Sequence, residues 1–538
     1  MKFVTRSLLV LLALYGVLFA VGDAWLASEH AGMWIAVAFA LGIVGLQFLC
    51  GPFLIEWLLT IHFIDLDDRA DKLLWNLPDE TNQFIRQVCE RRGLRQPKIG
   101  IIQSGTPNAF AFGWTPSHAR LVITTGLIDV LTPDELNAVV AHELGHIEHW
   151  DFVVMAIASL VPLLLYQAYI FMRGNNNTRL VAFGAYACYL ASQFVVLSLN
   201  RTREYFADHY SACVTEAPGR LSSALVKIAC GMVRADGEVA RAVEDHDKTA
   251  KRDALRHQRV AGTIAVLGIS NLRSGAALAL AGADPAAAAR VMRWDLVNPW
   301  ARIYQLQSTH PLTARRVQAL NREAEARHQA APYPLFDAER LQWGAVPLQV
   351  VLWAAPVVAA IGLGAWWSVA RSLERYGIVM PAGLTPRVLI FIGVTWLVRV
   401  LYRYRGTPET ATIGSLIEDV TVSEMNPRAV RLQGEILGRG LPGAFWSPDL
   451  VIQDRTGLLF VLYRQSIPFA RLFFALTAAQ DFVGRTVAIE GWFRRGMRPY
   501  IEMSRIEMLP DGATYRAYSR WIQLALAAAC VAIGWALR

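Results

Sequence analysis

A stretch of chain lying in lipid must satisfy its backbone polar groups internally, so an apolar run of spanning length is committed to a helix before anything else is known. Two such runs, Phe152–Met172 and Leu180–Leu199, follow each other closely and are joined through RGNNNT and Arg179. A bilayer core takes about 20 apolar residues, so both are of spanning or near-spanning length. If both cross, or neither does, the residues before Phe152 and those after Leu199 stay on one side of the membrane. That parity governs the reading, because the residues able to do chemistry lie on those two flanks. Asn176 heads an N-x-T sequon in the joining loop, whose shortness reads as a turn rather than a glycan site.

The first flank is LTPDELNAVVAHELGHIEHW, Leu131 to Trp150. Thr132 is a good N-cap, Pro133 suits the first helical position, and Glu135 completes a capping box. Leu136, Val139, Val140, Leu144 and Ile147 recur at helical spacing and give the helix a buried face. His142 and His146 then lie one turn apart on one side, with Glu143 beside them. This is H-E-x-x-H, whose mechanics are two neutral imidazoles on Zn2+ and a carboxylate that takes a proton from water at the metal. A catalytic zinc needs a third protein ligand and an open position. A metzincin would carry Gly at 149 and His at 152, whereas this chain has His149 and Phe152, so the third ligand must come from further away. The second flank, NRTREYFADHY from Asn200 to Tyr210, offers it: Glu204 can ligand the metal, and Asp208, four residues on, can orient a ligand imidazole. Alone, such an acidic pair is an ordinary solvated helix edge.

Four motifs in one order, PNAFAFG at 107–113, AHELGH at 141–146, EYFAD at 204–208 and STHP at 308–311, resemble the HtpX-type heat-shock membrane endopeptidases and their relatives, the CAAX prenyl proteases. The resemblance covers roughly residues 1 to 325. It implies a gluzincin fold, one Zn2+ on His142, His146 and Glu204, and Glu143 as general base. It further implies that Asn108, Ala109, Phe110, Ala111 and Phe112 form an edge strand on which substrate backbone pairs, and that His310 donates to the tetrahedral oxyanion. STHP also reads as a plain turn opening a helix with Leu312, Arg316 and Leu320.

With 538 residues, 54% of them hydrophobic, the chain is too long for one domain and too apolar for an ordinary soluble protein. A net charge of +8 suits cytoplasmic flanks of membrane spans, and six cysteines without a C-x-x-C pair suggest neither a disulfide framework nor a zinc ribbon. Ser7–Val21, behind Lys2 and Arg6, reads as a signal-peptide core or a first anchor, and the resemblance favours the anchor. Met33–Leu59 is long enough to span. The loop between them carries Asp23 and Glu29 but no Lys or Arg, which places it outside and the stretch Asp65–Lys98 inside. Short runs from Ile99 to Thr125 read as a small sheet, and Ser211–Pro332 as amphipathic helices, including an Ala-rich stretch at Ala276–Ala289. Pro347–Val369, Val388–Leu401 and Trp521–Leu537 are further membrane candidates, for a total of about four to seven spans.

Between Thr407 and Met508 the character changes to five strand-like runs, VRLQGEI, LVIQD, LLFVLYR, VAIEGWF and PYIEMSRIEML, which look like a small closed barrel of the OB type. GWFRRGMRPY would suit a stacking surface for single strands. A barrel tethered between spans reads more simply as a basic surface near phospholipid, and no nucleic-acid partner is expected. The fold expected is a multi-pass α-helical membrane protein with an α+β gluzincin-like zinc protease domain and a C-terminal all-β OB-like barrel. Its parts are an anchor region at 1–60, the protease domain at 61–344 including the hairpin 152–199, a membrane hairpin at 345–405, the barrel at 406–515 and a last span at 520–538. The resemblance implies a zinc endopeptidase of peptides or membrane proteins, serving membrane protein quality control in a bacterial inner membrane, its site facing the cytoplasm. A prenyl-protein processing protease and a non-catalytic adaptor stay open as alternatives.

Overall fold

The computed structural model describes residues 33–68, 70–71, 75–174, 179–244, 285–334, 343–374, 384–439, 447–465, 468–496, 499–510 and 512–538. The run Ser7–Val21, the sequon at Asn176 and most of Ala276–Ala289 lie outside them. The chain divides into two compact units, one formed mainly by residues up to 236 and by 303–335, the other by 290–302 and 336–538.

In the first unit, helix α1 (Met33–Leu58) leads into strand β1 (His62–Ile64), helix α2 (Asp79–Arg92) and strands β2 (Lys98–Ile102), β3 (Ala109–Phe112) and β4 (Arg120–Thr124). They form a sheet of order β1-β2-β4-β3, parallel between β2 and β4 and antiparallel elsewhere. Because side chains alternate across a strand, Leu121 and Ile123 of β4 face one side while Val122 faces the other. The first side packs with Ile99 and Ile101 against Leu136, Val139, Val140 and Leu144 of helix α3 (Pro133–Glu148). On the second side Val122 joins Ile102, Phe110, Phe112 and Leu59. The capping box opens α3 as its sequence predicts: Glu135 N–H donates to Thr132 Oγ1 at 3.4 Å and Thr132 N–H to Glu135 Oε2 at 2.9 Å.

Helices α4 (Asp151–Met172) and α5 (Arg179–Thr215) follow and pack along one another. Tyr166 meets Tyr189 with ring centroids 5.3 Å apart, and Tyr169 meets Tyr186 at 5.0 Å, so one helix steps up three residues as the other steps down three. They run antiparallel in a fixed register. Helices α6 (Pro218–Glu244), α7 (Pro285–Val297), α8 (Pro299–Leu306) and α9 (Thr313–Ala326) follow, and α9 packs on α5.

The second unit contains α10 (Val346–Glu374), α11 (Leu384–Arg403) and a closed run of five strands: β5 (Arg428–Arg439), β6 (Leu450–Asp454), β7 (Gly457–Leu462), β8 (Thr486–Arg495) and β9 (Pro499–Met508). The pairs β5–β6, β6–β7, β9–β8 and β8–β5 are antiparallel and β7–β9 is parallel, which closes the ring. Helix α12 (Pro468–Thr477) lies between β7 and β8, and helix α13 (Ser519–Ala536) ends the chain. Trp294 of α7 donates to Val422 O at 2.7 Å and Arg495 to Val291 O at 2.9 Å, tying residues 290–302 into this unit.

Among the described residues six helices are long and apolar enough to cross a membrane, and each coincides with an expected span from Met33–Leu59 onward. Their large apolar side chains are exposed, as at Ile157, Phe183, Val195 and Ile361. One difference matters: the span expected to end at Leu199 continues as unbroken helix to Thr215. Between α11 and α13 the backbones touch. A Cβ on Gly393 would lie 2.8 Å from Val531 N, and one on Gly534 would lie 2.9 Å from Pro386 O. Small residues allow such close packing where lipid supplies no hydrophobic drive between helices. Gly393→Ala or Gly534→Ala should therefore cost about 1–3 kcal/mol each, read as a lower unfolding midpoint of the solubilised chain. Gly362→Ala, with open space around it, should be neutral.

Candidate active site

Helix α3 carries His142 and His146, and the extension of α5 beyond its apolar part carries Glu204. Two features let the helices approach. Gly145 faces Tyr210, whose ring would lie 3.1 Å from any Cβ there, and Ser211 Oγ donates to Ala138 O at 2.6 Å. The outcome is convergence: His142 Nε2 lies 3.2 Å from His146 Nε2, and the Glu204 carboxylate lies 3.7 Å from each imidazole. Ligands on one tetrahedral zinc at 2.0–2.1 Å are separated by about 3.3–3.4 Å. All three side chains are nearly buried, and Glu204 Oε2 has no hydrogen-bond partner, although Arg316 Nη1 stands 3.3 Å away. A buried carboxylate oxygen without a hydrogen bond, beside two facing imidazole nitrogens, is a donor set that fits a divalent ion.

Each imidazole is held from behind by a carboxylate. Asp208 Oδ1 lies 3.0 Å from His142 Nδ1 and is itself gripped by Arg316, whose Nε and Nη2 donate to the two Asp208 oxygens at 2.9 and 2.6 Å. Asp151 Oδ2 lies 2.5 Å from His146 Nδ1 and 2.7 Å from Arg203 Nη2. Both contacts leave Nε2 of each ring directed toward the other ring and Glu204. Burial alone would lower the basicity of His146, but its bond to Asp151 and the charges of Glu204 and Glu143 outweigh that and hold its pKa above the usual value. Arg316 behaves likewise: burial is opposed by Asp208 and Glu204, which raise it further.

Sequence reasoning missed Asp151, Arg203 and Arg316 in these roles. Asp151 opens an apolar helix and reads as an ordinary first-turn acid, and it reaches His146 because Trp150 takes the left-handed conformation (φ 60°) that turns the chain sharply between α3 and α4. Arg203 carried a faint signal as the neighbour of Glu204, and Arg316 as a charge on an otherwise apolar helix face.

His310 comes to the same place. Its Nδ1 lies 3.2 Å from Glu204 Oε1, where, against the effect of burial, its charge helps hold the Glu204 carboxyl well below the usual range, and its Nε2 makes no hydrogen bond among the described residues. The loop before it is held by α5: Arg201 Nη1 donates to Gln305 O and Ser308 O, both at 2.9 Å, and Asn200 Nδ2 to Thr309 O at 3.1 Å. Glu143 is 3% exposed and forms no hydrogen bond among the described residues. Residues Ala109 to Phe112 form β3, the sheet edge, which packs against α3, while Asn108 precedes it and holds β4 through Thr124, whose Oγ1 accepts from Asn108 N–H at 2.8 Å. Asp151→Asn would keep shape but remove the charge behind His146. Its zinc affinity, read by chelator competition, should fall by about 10–100-fold with the fold retained, and an unchanged affinity would reduce Asp151 to a partner of Arg203.

The sequence model of peptidase family M48 matches residues 79–324. "Protease HtpX homolog" of Methanothermobacter thermautotrophicus is 32% identical over 233 residues, covering 42% of this chain and 86% of that one. "Protease HtpX homolog 2" of Methanosarcina acetivorans is 33% identical over 212 residues, 37% of this chain and 69% of that one. A crystal structure of S. mikatae Ste24p aligns at 17% identity and a TM-score of 0.35 over 59% of this chain and 65% of that one, too loose a likeness to inform the fold. The matches to the two relatives, together with the four ordered motifs and the six apolar helices, make this a multi-pass membrane protein whose chain belongs to peptidase family M48.

Proposed function

We propose that the chain is an integral membrane zinc endopeptidase of gluzincin type, acting on peptides or membrane proteins in quality control, in a bacterial inner membrane with its site toward the cytoplasm. The observation that carries this is the convergence of His142, His146 and Glu204 beside Glu143, a buried carboxylate whose charge reaches His146. Zinc held there would supply a Lewis acid that polarises a peptide carbonyl and lowers the pKa of water toward about 7. Glu143 accepts the proton of the attacking water on its carboxylate and returns it to the amine nitrogen as that group leaves. His310, through its unengaged Nε2, donates to the oxyanion, and Arg316 keeps Asp208 on His142. The outer edge of β3, the terminal strand of its sheet among the described residues, would pair with an extended substrate, the usual way a sheet edge recognises a strand.

The domain reading that goes with this keeps an anchor at 1–60, the protease domain at 61–344, a membrane hairpin at 345–405, the barrel at 406–515 and a last span at 520–538. The barrel's strand order, its one parallel pair and the helix between its third and fourth strands support an OB-type accessory domain. A purely structural zinc site is closed by four protein ligands and needs no base, so Glu143 and a three-ligand set favour catalysis over an adaptor role. In detergent, wild type should cleave unprenylated casein, and Glu143→Gln should keep its zinc while cleavage falls by about 10²–10⁴-fold. Cleavage by a folded Glu143→Gln variant would contradict the assignment of the base, and cleavage by wild type only of prenylated peptides would move the reading to prenyl-protein processing.

A further inference from the structure

The second unit holds a polar cavity of about 430 Å³, lined by Arg403, Arg464, Arg471, Asp449, Glu502 and Ser519 among others. Its carboxylates and guanidinia are not matched one to one. Glu502 already accepts from two groups: Arg494 Nε donates to one oxygen at 2.7 Å and the Tyr404 hydroxyl, also in the lining, to the other at 2.5 Å. Asp449 accepts from Tyr463 N–H at 3.2 Å, and burial pushes its pKa above the usual value, against the pull of Arg471 and Arg464. Arg403 has a buried Nε without a partner, and the nearest carboxylates stand off at 3.6 Å (Glu502) and 3.8 Å (Glu424). Arg464 lies 3.8 Å from Glu424, beyond hydrogen-bond reach, and Arg471 makes no hydrogen bond or ion pair among the described residues. Three guanidinia thus line one cavity without a hydrogen bond to protein among the described residues, Arg403 with a buried donor, Arg464 over the Tyr500 ring and Arg471 exposed. A tetrahedral oxyanion satisfies such donors best, because its several oxygens accept guanidinium pairs.

The position of the cavity selects the source of that anion. Arg403 is the last residue of α11 and Ser519 the first of α13, both of spanning length and composition, so the cavity opens where two spans end. Exposed Tyr518 and Trp521 flank Ser519, and tyrosine and tryptophan gather at the headgroup level of a bilayer. Helix α12, which supplies Arg471, exposes Phe469, Leu472, Phe473 and Leu476 on one face while Phe474 and Ala475 are buried, the pattern of a helix lying in the interface. We propose that this cavity binds the phosphate of an anionic membrane phospholipid, with the apolar face of α12 set among the acyl chains.

The test uses the full chain in dodecyl maltoside, titrated with phosphatidylglycerol, phosphatidylcholine or inorganic phosphate and followed by native mass spectrometry and by unfolding midpoint. Wild type should retain one phosphatidylglycerol per chain and gain stability from it, with little response to the other two. An Arg464→Gln/Arg471→Gln variant, which spares the buried Arg403 and should therefore fold, should bind it at least tenfold more weakly with casein cleavage unchanged. Equal retention by the variant overturns the proposal. So does equal binding of phosphatidylcholine, and so does stabilisation by inorganic phosphate with no lipid retained.

Discussion

The metal site depends on the register between α4 and α5, because the helix bearing His146 ends where α4 begins and Glu204 lies where α5 emerges from its apolar part. The tyrosine pairs fix that register, and carried three residues at a time along the hairpin it sets Asp151 level with Glu204, where Asp151 pairs with the adjacent Arg203. The margin is small. A slip of one helical turn moves Glu204 by about 5.4 Å, whereas a metal site tolerates only about 0.2 Å in its ligand distances. A hairpin in lipid is well suited to such a task, since both helices must keep their backbone bonds intact and cannot unwind to absorb an error. Two segments remote in sequence, AHELGH and EYFAD, are thereby made parts of one object.

Electrostatics and geometry both favour a divalent cation in that object. Glu143, Asp151, Glu204 and Asp208 are all nearly buried, and among the described residues the guanidinia of Arg203 and Arg316 pair with three of them, with His310 beside Glu204. Burying carboxylates in excess is costly unless something neutralises them. With the imidazoles neutral, four carboxylates face two guanidinia, an excess of negative charge that a divalent cation would reduce. The same two arginines position the carboxylates behind the imidazoles, so charge balance and ligand orientation are achieved by one set of contacts.

What was legible from residues follows the range of the forces involved. The capping box, the H-E-x-x-H face and the apolar spans are local, and Thr132, Glu135, His142 and His146 announce themselves within a few turns. The barrel strands were equally plain because their alternation is local too. Asp151, Arg203 and Arg316 were not, since their meaning arises from contacts that only the hairpin register creates. β1 has three residues, too few for any periodicity, and residues 290–302 read as ordinary amphipathic helix although Trp294 and Val291 bind the barrel unit. The helix α12 was hidden because its exposed phenylalanines resemble a buried run until one sees which face they occupy.

X-ray absorption at the zinc edge, on the full chain purified in detergent, tests the central claim most directly. The account predicts one zinc per chain with about two imidazole nitrogens, oxygen from Glu204 and water, and no sulfur, and in Glu204→Ala either loss of the metal or a changed first shell. Sulfur at the metal, or a Glu204→Ala spectrum identical to wild type, would show that the hairpin does not deliver the third ligand.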